Sequence, residues 1–214
     1  MGKKIIKEIK NIVETIIDII YPPSNRCIIC NAEDFIGICP YCKSKIKRVE
    51  NQEDVLSYGY YGGVLKELIL AFKYDKNFTA GNVISELLLN LIYENRIEFD
   101  AIYYVPMSKS SIKKRGFNQC EIIAKNLSKS LNIPVSNSLI KIKNTKEQKS
   151  LSKDERYKNI KGAFKIRENN IKNKRILLVD DVVTTGATLL ECKKVLENYD
   201  IEEITVLTIA KSHI

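Results

Sequence analysis

Residues 176 to 189 read ILLVDDVVTTGATL. Four aliphatic residues, Ile176, Leu177, Leu178 and Val179, run straight into two adjacent carboxylates, Asp180 and Asp181. Val182 and Val183 then lead into Thr184, Thr185, Gly186, Ala187 and Thr188. A short unbroken apolar run is the mark of a buried strand, and in parallel α/β sheets ligands bind at the carboxyl ends of such strands. Two carboxylates at that end can accept hydrogen bonds from a vicinal diol, as on a ribose, or hold a hydrated Mg²⁺. A small, hydroxyl-rich turn into a helix offers backbone N–H groups, hydroxyls and a helix N-terminus to a phosphate. Together these describe a site for a ribose 5-phosphate. The plainer alternative is a strand, a turn and a helix cap, but two unpaired acids at a strand end repel each other without a ligand. No Gly-Lys-Ser/Thr follows, so the segment is not a P-loop, and the G-x-G-x-x-G of dinucleotide sites is absent.

The rest of the chain supplies the sheet that this strand needs. VLSYGYY reads as a strand, VLKELILAF and VISELLLNLIY as helices, IYYVPM as a strand and FNQCEIIAKNLSKSL as an amphipathic helix. Short strands near IPV and LIKI follow. Ser152 and Glu155 form a capping-box pattern that opens a short helix. GAFKI, RILLV and EITVLTIA read as strands, with a helix from about Thr188 to Asn198 between the last two. Strands alternating with helices specify an α/β domain around a mostly parallel sheet flanked by helices. We place it over residues 51–214.

Residues 1–50 differ in composition and form a separate segment. Ile5, Ile6, Ile9, Ile12, Val13, Ile16, Ile17 and Ile20 have helical spacing. Such a stripe packs on protein or lies on a membrane surface, and packing is the commoner use. Lys7, Glu8, Lys10, Glu14 and Asp18 interrupt it, so it is neither a simple transmembrane helix nor a secretory signal. Pro22 and Pro23 end it. The expected location is the cytoplasm. Cys27, Cys30, Cys39 and Cys42 then form two C-x₂-C knuckles eight residues apart. Each knuckle offers two thiolates from one turn, and four make a closed tetrahedral zinc site of structural type. Disulfides are the alternative, rare in the cytosol. A redox C-x-x-C would not need a duplicate. Cys120 and Cys192 fall in helices, where a lone cysteine is usually a small buried apolar residue.

The charge of +9 is uneven. Residues 141–175 hold 13 Lys/Arg against 4 Asp/Glu, and Lys109, Lys113, Lys114 and Arg115 cluster with no acid among them. A polyanionic partner and an ordinary solvated basic surface both fit that pattern.

These residues carry a resemblance. ILLVDDVVTTGATL resembles the phosphoribosyl-diphosphate (PRPP) motif of type I phosphoribosyltransferases. VPMSKSSIKKRGFNQ resembles a segment of the ComF family. Thr145, Gln148 and Leu151, followed by Glu155-Arg156, Asn159 and Gly162-Ala163-Phe164, resemble that family's next block. The paired knuckles after a leading helix and Pro-Pro fit as well, so the likeness covers nearly the whole chain. It implies a type I phosphoribosyltransferase-like domain behind a small N-terminal zinc segment with four cysteine ligands, and a link to natural competence, the uptake and processing of transforming DNA. The loop after Val105-Pro106 is richer in Lys than the family pattern suggests.

Carried over residue by residue, the resemblance assigns the ribose hydroxyls and the catalytic acid positions to Asp180 and Asp181, with Mg²⁺ alongside. It gives the 5-phosphate to the turn after Val182 and Val183, formed by Thr184, Thr185, Gly186, Ala187 and Thr188. Met107, Ser108 and Lys109 correspond to the pyrophosphate loop, with Arg115 as its cationic support. The segment from Lys143 to Arg156 corresponds to the loop that closes over the reacting centre, with Gln148, Lys149 and Arg156 as polar contacts. Lys73 matches a family position too, though a lysine at a helix C-terminus is favoured by the dipole alone. Two functions follow. One is a phosphoribosyltransferase-fold module that binds PRPP or a related ribosyl phosphate, binds single-stranded DNA weakly, and works in transformation with a helicase partner. The other is an active phosphoribosyltransferase acting on a nucleobase, for which no base-recognition element is evident. DNA lacks the 2′-hydroxyl, so two diol acceptors favour PRPP as the direct ligand.

Overall fold

A computed structural model describes residues 25–51, 55–145, 152–167 and 175–212. The leading helix, Pro22-Pro23, Gln148 and Lys149 lie outside the described residues. Among those described, five parallel strands form one sheet in the order β1-β7-β6-β2-β3. They are β1 (Val55–Tyr60), β2 (Ala101–Tyr104), β3 (Val135–Ser136), β6 (Arg175–Val183) and β7 (Glu203–Lys211). β4 (Leu139–Lys141) and β5 (Phe164–Ile166) pair antiparallel as a separate ribbon.

Period-two alternation sends each strand's apolar residues to two faces, and both are covered. Leu177 and Val179 of β6, with Leu207 and Ile209 of β7, pack in one buried cluster against three helices. These are α2 (Gly63–Tyr74), α3 (Phe78–Glu94) and α5 (Gln119–Leu131). Ile176, Leu178 and Val206 point the other way, into a second cluster with Ile160, Phe164, Ile166, Leu189 and Leu196. That cluster packs the β4–β5 ribbon, α6 (Lys153–Ile160) and α7 (Ala187–Leu196) onto the opposite face. Central strands buried on both sides read as apolar runs for this reason.

Helix starts follow from capping chemistry. Asn77 accepts from the backbone N–H of Ala80, and Asn118 accepts from that of Cys120. Ser152 and Glu155 make the reciprocal capping box, as the sequence anticipated. Two short helices were not foreseen, Pro40–Ser44 and Lys109–Arg115. Lys109–Arg115 forms α4, capped by the Ser108 hydroxyl and stopped by Gly116 at φ +91°. The segment read as a turn at Met107 to Lys109 is therefore the entry to a helix.

The cysteine segment docks on the domain. It includes the short helix α1 (Pro40–Ser44), which Cys39 caps. Ile28, Ile29, Ile38 and Val64 pack between it and the main core. Gly37, at φ +88°, brings its backbone so near α3 that a Cβ there would lie 2.5 Å from a Val83 methyl.

Candidate functional site

β6 continues through both aspartates to Val183, further than the RILLV strand the sequence suggested. β7 stays paired with it as far as Val183, but β2 leaves at Val179. The acids therefore sit on a strand that has lost its neighbour on one side, beside the loop Val105–Ser108. Asn118 holds that loop by donating to the Val105 carbonyl at 3.1 Å.

The two acids differ in surroundings. Lys73, at the end of α2, places its Nζ 2.6 Å from Asp181 Oδ2, with both side chains mostly buried. Gln119, in the first turn of α5, donates to the same carboxylate oxygen at 2.6 Å. Arg115 donates to Gln119 Oε1 at 2.7 Å, lies over the Tyr74 ring and reaches Met107 Sδ at 3.9 Å. A line of contacts thus runs from the Met107 loop through Arg115 and Gln119 to Asp181 and Lys73. Asp180 has fewer partners. Its Oδ1 accepts from the Asp181 backbone N–H at 2.8 Å and faces the Cys120 thiol at 3.7 Å.

Their protonation differs accordingly. Burial raises the pKa of Asp180 to about 7, and the charge of Asp181 adds to the rise. Burial also works against ionised Asp181, but Lys73 and the Gln119 amide outweigh it and hold that carboxyl below its usual range. Lys73 is held above its usual value, since Asp181 more than offsets its burial. Burial raises the Cys120 thiol, so it faces Asp180 as a neutral donor.

Downstream of the acids, Val182 to Leu189 and Asp180 line a small concavity. Gly186 sits at φ +74° and caps α7 through its backbone, with no side-chain cap. That geometry turns the N-terminus of α7 toward the concavity. From the other side α6 reaches the same loop. Arg156 donates to the Thr184 hydroxyl at 3.0 Å and Tyr157 to the Thr185 carbonyl at 2.9 Å. A cavity of about 500 Å³ lies at the opposite end of the sheet, beside Arg175 and Glu203. Arg175 there is paired with Glu98 at 2.6 Å and with Asp100 at 3.2 Å.

The structure brings Asp180, Asp181, Met107 and Arg115 together, with Thr184 to Thr188 adjoining, and places Lys73, in the last turn of its helix, in an ion pair with Asp181. Lys109, Lys113 and Lys114 are exposed on α4. Gln119 was missed. Its only sequence signal was its place in the Gly116-Phe117-Asn118-Gln119 stretch, because a neutral amide shows no periodicity or charge.

At the other end of the chain, the Sγ atoms of Cys27, Cys30, Cys39 and Cys42 all lie within 4.8 Å of one another. None of the four is in a disulfide. Four sulfurs about 2.3 Å from a tetrahedral zinc stand about 3.8 Å apart, and Cys30 Sγ lies 3.7 Å from Cys39 Sγ. The backbone N–H groups of Cys39 and Cys42 point at the sulfurs of Cys27 and Cys39, at 3.3 and 3.4 Å, as thiolate ligands require. Cys27, Cys39 and Cys42 are buried and Cys30 is exposed. The cluster could hold a zinc ion with its four sulfurs as ligands.

Residues 111–213 match the phosphoribosyl transferase domain family. Competence protein F of Haemophilus influenzae is 32% identical over 180 residues, 80% of this chain and 79% of that protein. The chain belongs to the ComF family. This ComF-family protein is also 32% identical to competence protein ComFC of Bacillus subtilis over 123 residues, 58% of this chain and 44% of that one. Among solved structures it is similar to the adenine phosphoribosyltransferase of Trypanosoma brucei. The TM-score is 0.48, with 11% identity over 78% of this chain and 86% of that one. No helix among the described residues is long and apolar enough to cross a membrane.

Proposed function

We propose that this chain binds PRPP or a related ribosyl phosphate and serves in the handling of DNA during competence. The observation that carries the ligand is the continuity of Asp180 and Asp181 with the Gly186 turn into α7. Within nine residues the chain offers two acceptors for a diol and a helix N-terminus for a phosphate. Lys73 and Arg115 balance the acids, so an anionic ligand meets no net repulsion. A Mg²⁺ ion accompanying the diphosphate would find carboxylate oxygens in Asp180 and Asp181, the hard donors that it takes. When bound, it would neutralise diphosphate charge. Met107, Ser108 and Lys109 are assigned to the diphosphate, and the segment from Lys143 to Arg156, with Gln148 and Lys149, to closing over the ligand.

The competence role is supported by the names of the two relatives. Single-stranded DNA binding is supported by Lys109, Lys113 and Lys114, exposed beside the site, and by the basic stretch 141–175. A helicase partner belongs to the same proposal. Transfer of the phosphoribosyl group to a nucleobase is the second reading. The β4–β5 ribbon favours it, because it covers the sheet face next to the acids and gives a wall against which a planar base could lie.

Titration of PRPP with and without Mg²⁺, followed by single-stranded DNA in competition, tests the proposal. Saturable PRPP binding is expected. DNA binding with no PRPP binding would overturn the ligand assignment.

A further inference from the structure

We infer that Arg156 is the cation of the 5-phosphate subsite. This rests on the ribosyl-phosphate reading above. The loop Val182 to Thr188 carries no cationic residue, and the next one, Lys193, lies towards the far end of α7. A helix N-terminus supplies only about half a positive charge, against nearly two negative charges on a phosphomonoester. The balance must come from outside the loop.

Arg156 is placed to supply it. Its Nη1 is 3.0 Å from Thr184 Oγ1, the first hydroxyl of the turn. The guanidinium is half-buried, so its charge is screened less than that of the exposed lysines of α4. It is also held in place. Tyr157 fastens the next position to the Thr185 carbonyl, the Ser152–Glu155 capping box fixes the start of α6, and Ile160 anchors its end in the core. Beyond the helix, the Gly162 N–H donates to Glu191 of α7 at 2.6 Å. α6 therefore bridges the phosphate turn and the helix that follows it. A planar guanidinium can bond the Thr184 hydroxyl and a phosphate oxygen together, because it has five donors in a fork.

The test is calorimetric titration of ribose 5-phosphate and of inorganic phosphate into the full chain. The variants are Arg156→Ala, Arg156→Lys and Arg156→Gln. Gln can keep the bond to Thr184 but not the charge, so it separates a structural role from an electrostatic one. Loss of one charge-assisted hydrogen bond corresponds to roughly a 10- to 100-fold weaker affinity. That loss is expected for Ala and Gln with both ligands, with partial recovery for Lys. If Ala does not fold, the Gln and Lys pair decides alone. Gln binding as tightly as wild type overturns the inference. A wild type that binds neither ligand overturns the underlying ribosyl-phosphate reading as well, whereas a binding wild type with unchanged variants overturns only the role of Arg156.

Discussion

Lys73 closes a 2.6 Å ion pair on Asp181, joining the end of α2 to the last stretch of the central strand β6. The pair explains how a strand can carry adjacent acids through a buried site. One carboxylate is neutralised by a lysine, and the other keeps its proton up to about pH 7.

Lys73→Met should destabilise the protein by about 1–3 kcal/mol, because it leaves a mostly buried carboxylate without its cation. Adding Asp181→Asn should restore part of the loss, with a coupling of roughly 0.5–3 kcal/mol in a double-mutant cycle read by urea unfolding. Additive effects would mean that the ion pair carries no energy.

Asp180 makes stability depend on pH with a definite sign. Its folded pKa of about 7 is raised from 3.8, so between these values the folded chain holds a proton that the unfolded chain has released. This group's contribution is full below about pH 4 and is lost as pH rises through 7. Asp180→Asn removes that loss. The variant should gain about 0.5–2 kcal/mol over wild type at pH 8, with the gain shrinking towards pH 4. Thermal melts across that range check it, and a pH-independent difference would contradict the assignment.

Much of this was legible in the sequence because period and punctuation agree with tertiary structure. RILLV had to be a two-faced buried strand, and the Ser152–Glu155 box opened a helix where expected. The paired knuckles placed four sulfurs together. Two things were not legible. The strand runs past its acids because β7 keeps pairing after β2 departs, a relation between distant segments that no local pattern encodes. Gln119 and Lys73 meet Asp181 only after α2 and α5 pack on the same face of the sheet. Local propensity had already accounted for Lys73 as a helix C-terminal lysine.

The cysteine cluster should hold one zinc ion per chain, the stoichiometry of a site with four thiolate ligands. Metal analysis of purified protein checks this. Cys39→Ser should lose the metal and most of the order of residues 25–45, since a segment with so small a core depends on its metal. A disulfide among the four cysteines would contradict it.

Single-stranded DNA should bind weakly, without sequence preference, and with an affinity that falls steeply as salt rises. Replacing Lys109, Lys113 and Lys114 with Gln should flatten the slope of log affinity against log salt by roughly 0.7 for each phosphate no longer neutralised. An unchanged slope would remove α4 from the interface.

The most direct test of the account is PRPP binding by the Asp180→Asn/Asp181→Asn double variant in the presence of Mg²⁺. The substitutions keep shape and remove charge. Hydrogen bonds to charged acceptors contribute about 1.5–3 kcal/mol each, so at pH 8, above the raised pKa of Asp180, affinity should fall roughly 100-fold or more. The variant should remain folded by circular dichroism, and its binding to long single-stranded DNA should be unchanged or slightly tighter. A folded variant that binds PRPP as tightly as wild type would contradict the ribose assignment of the two acids.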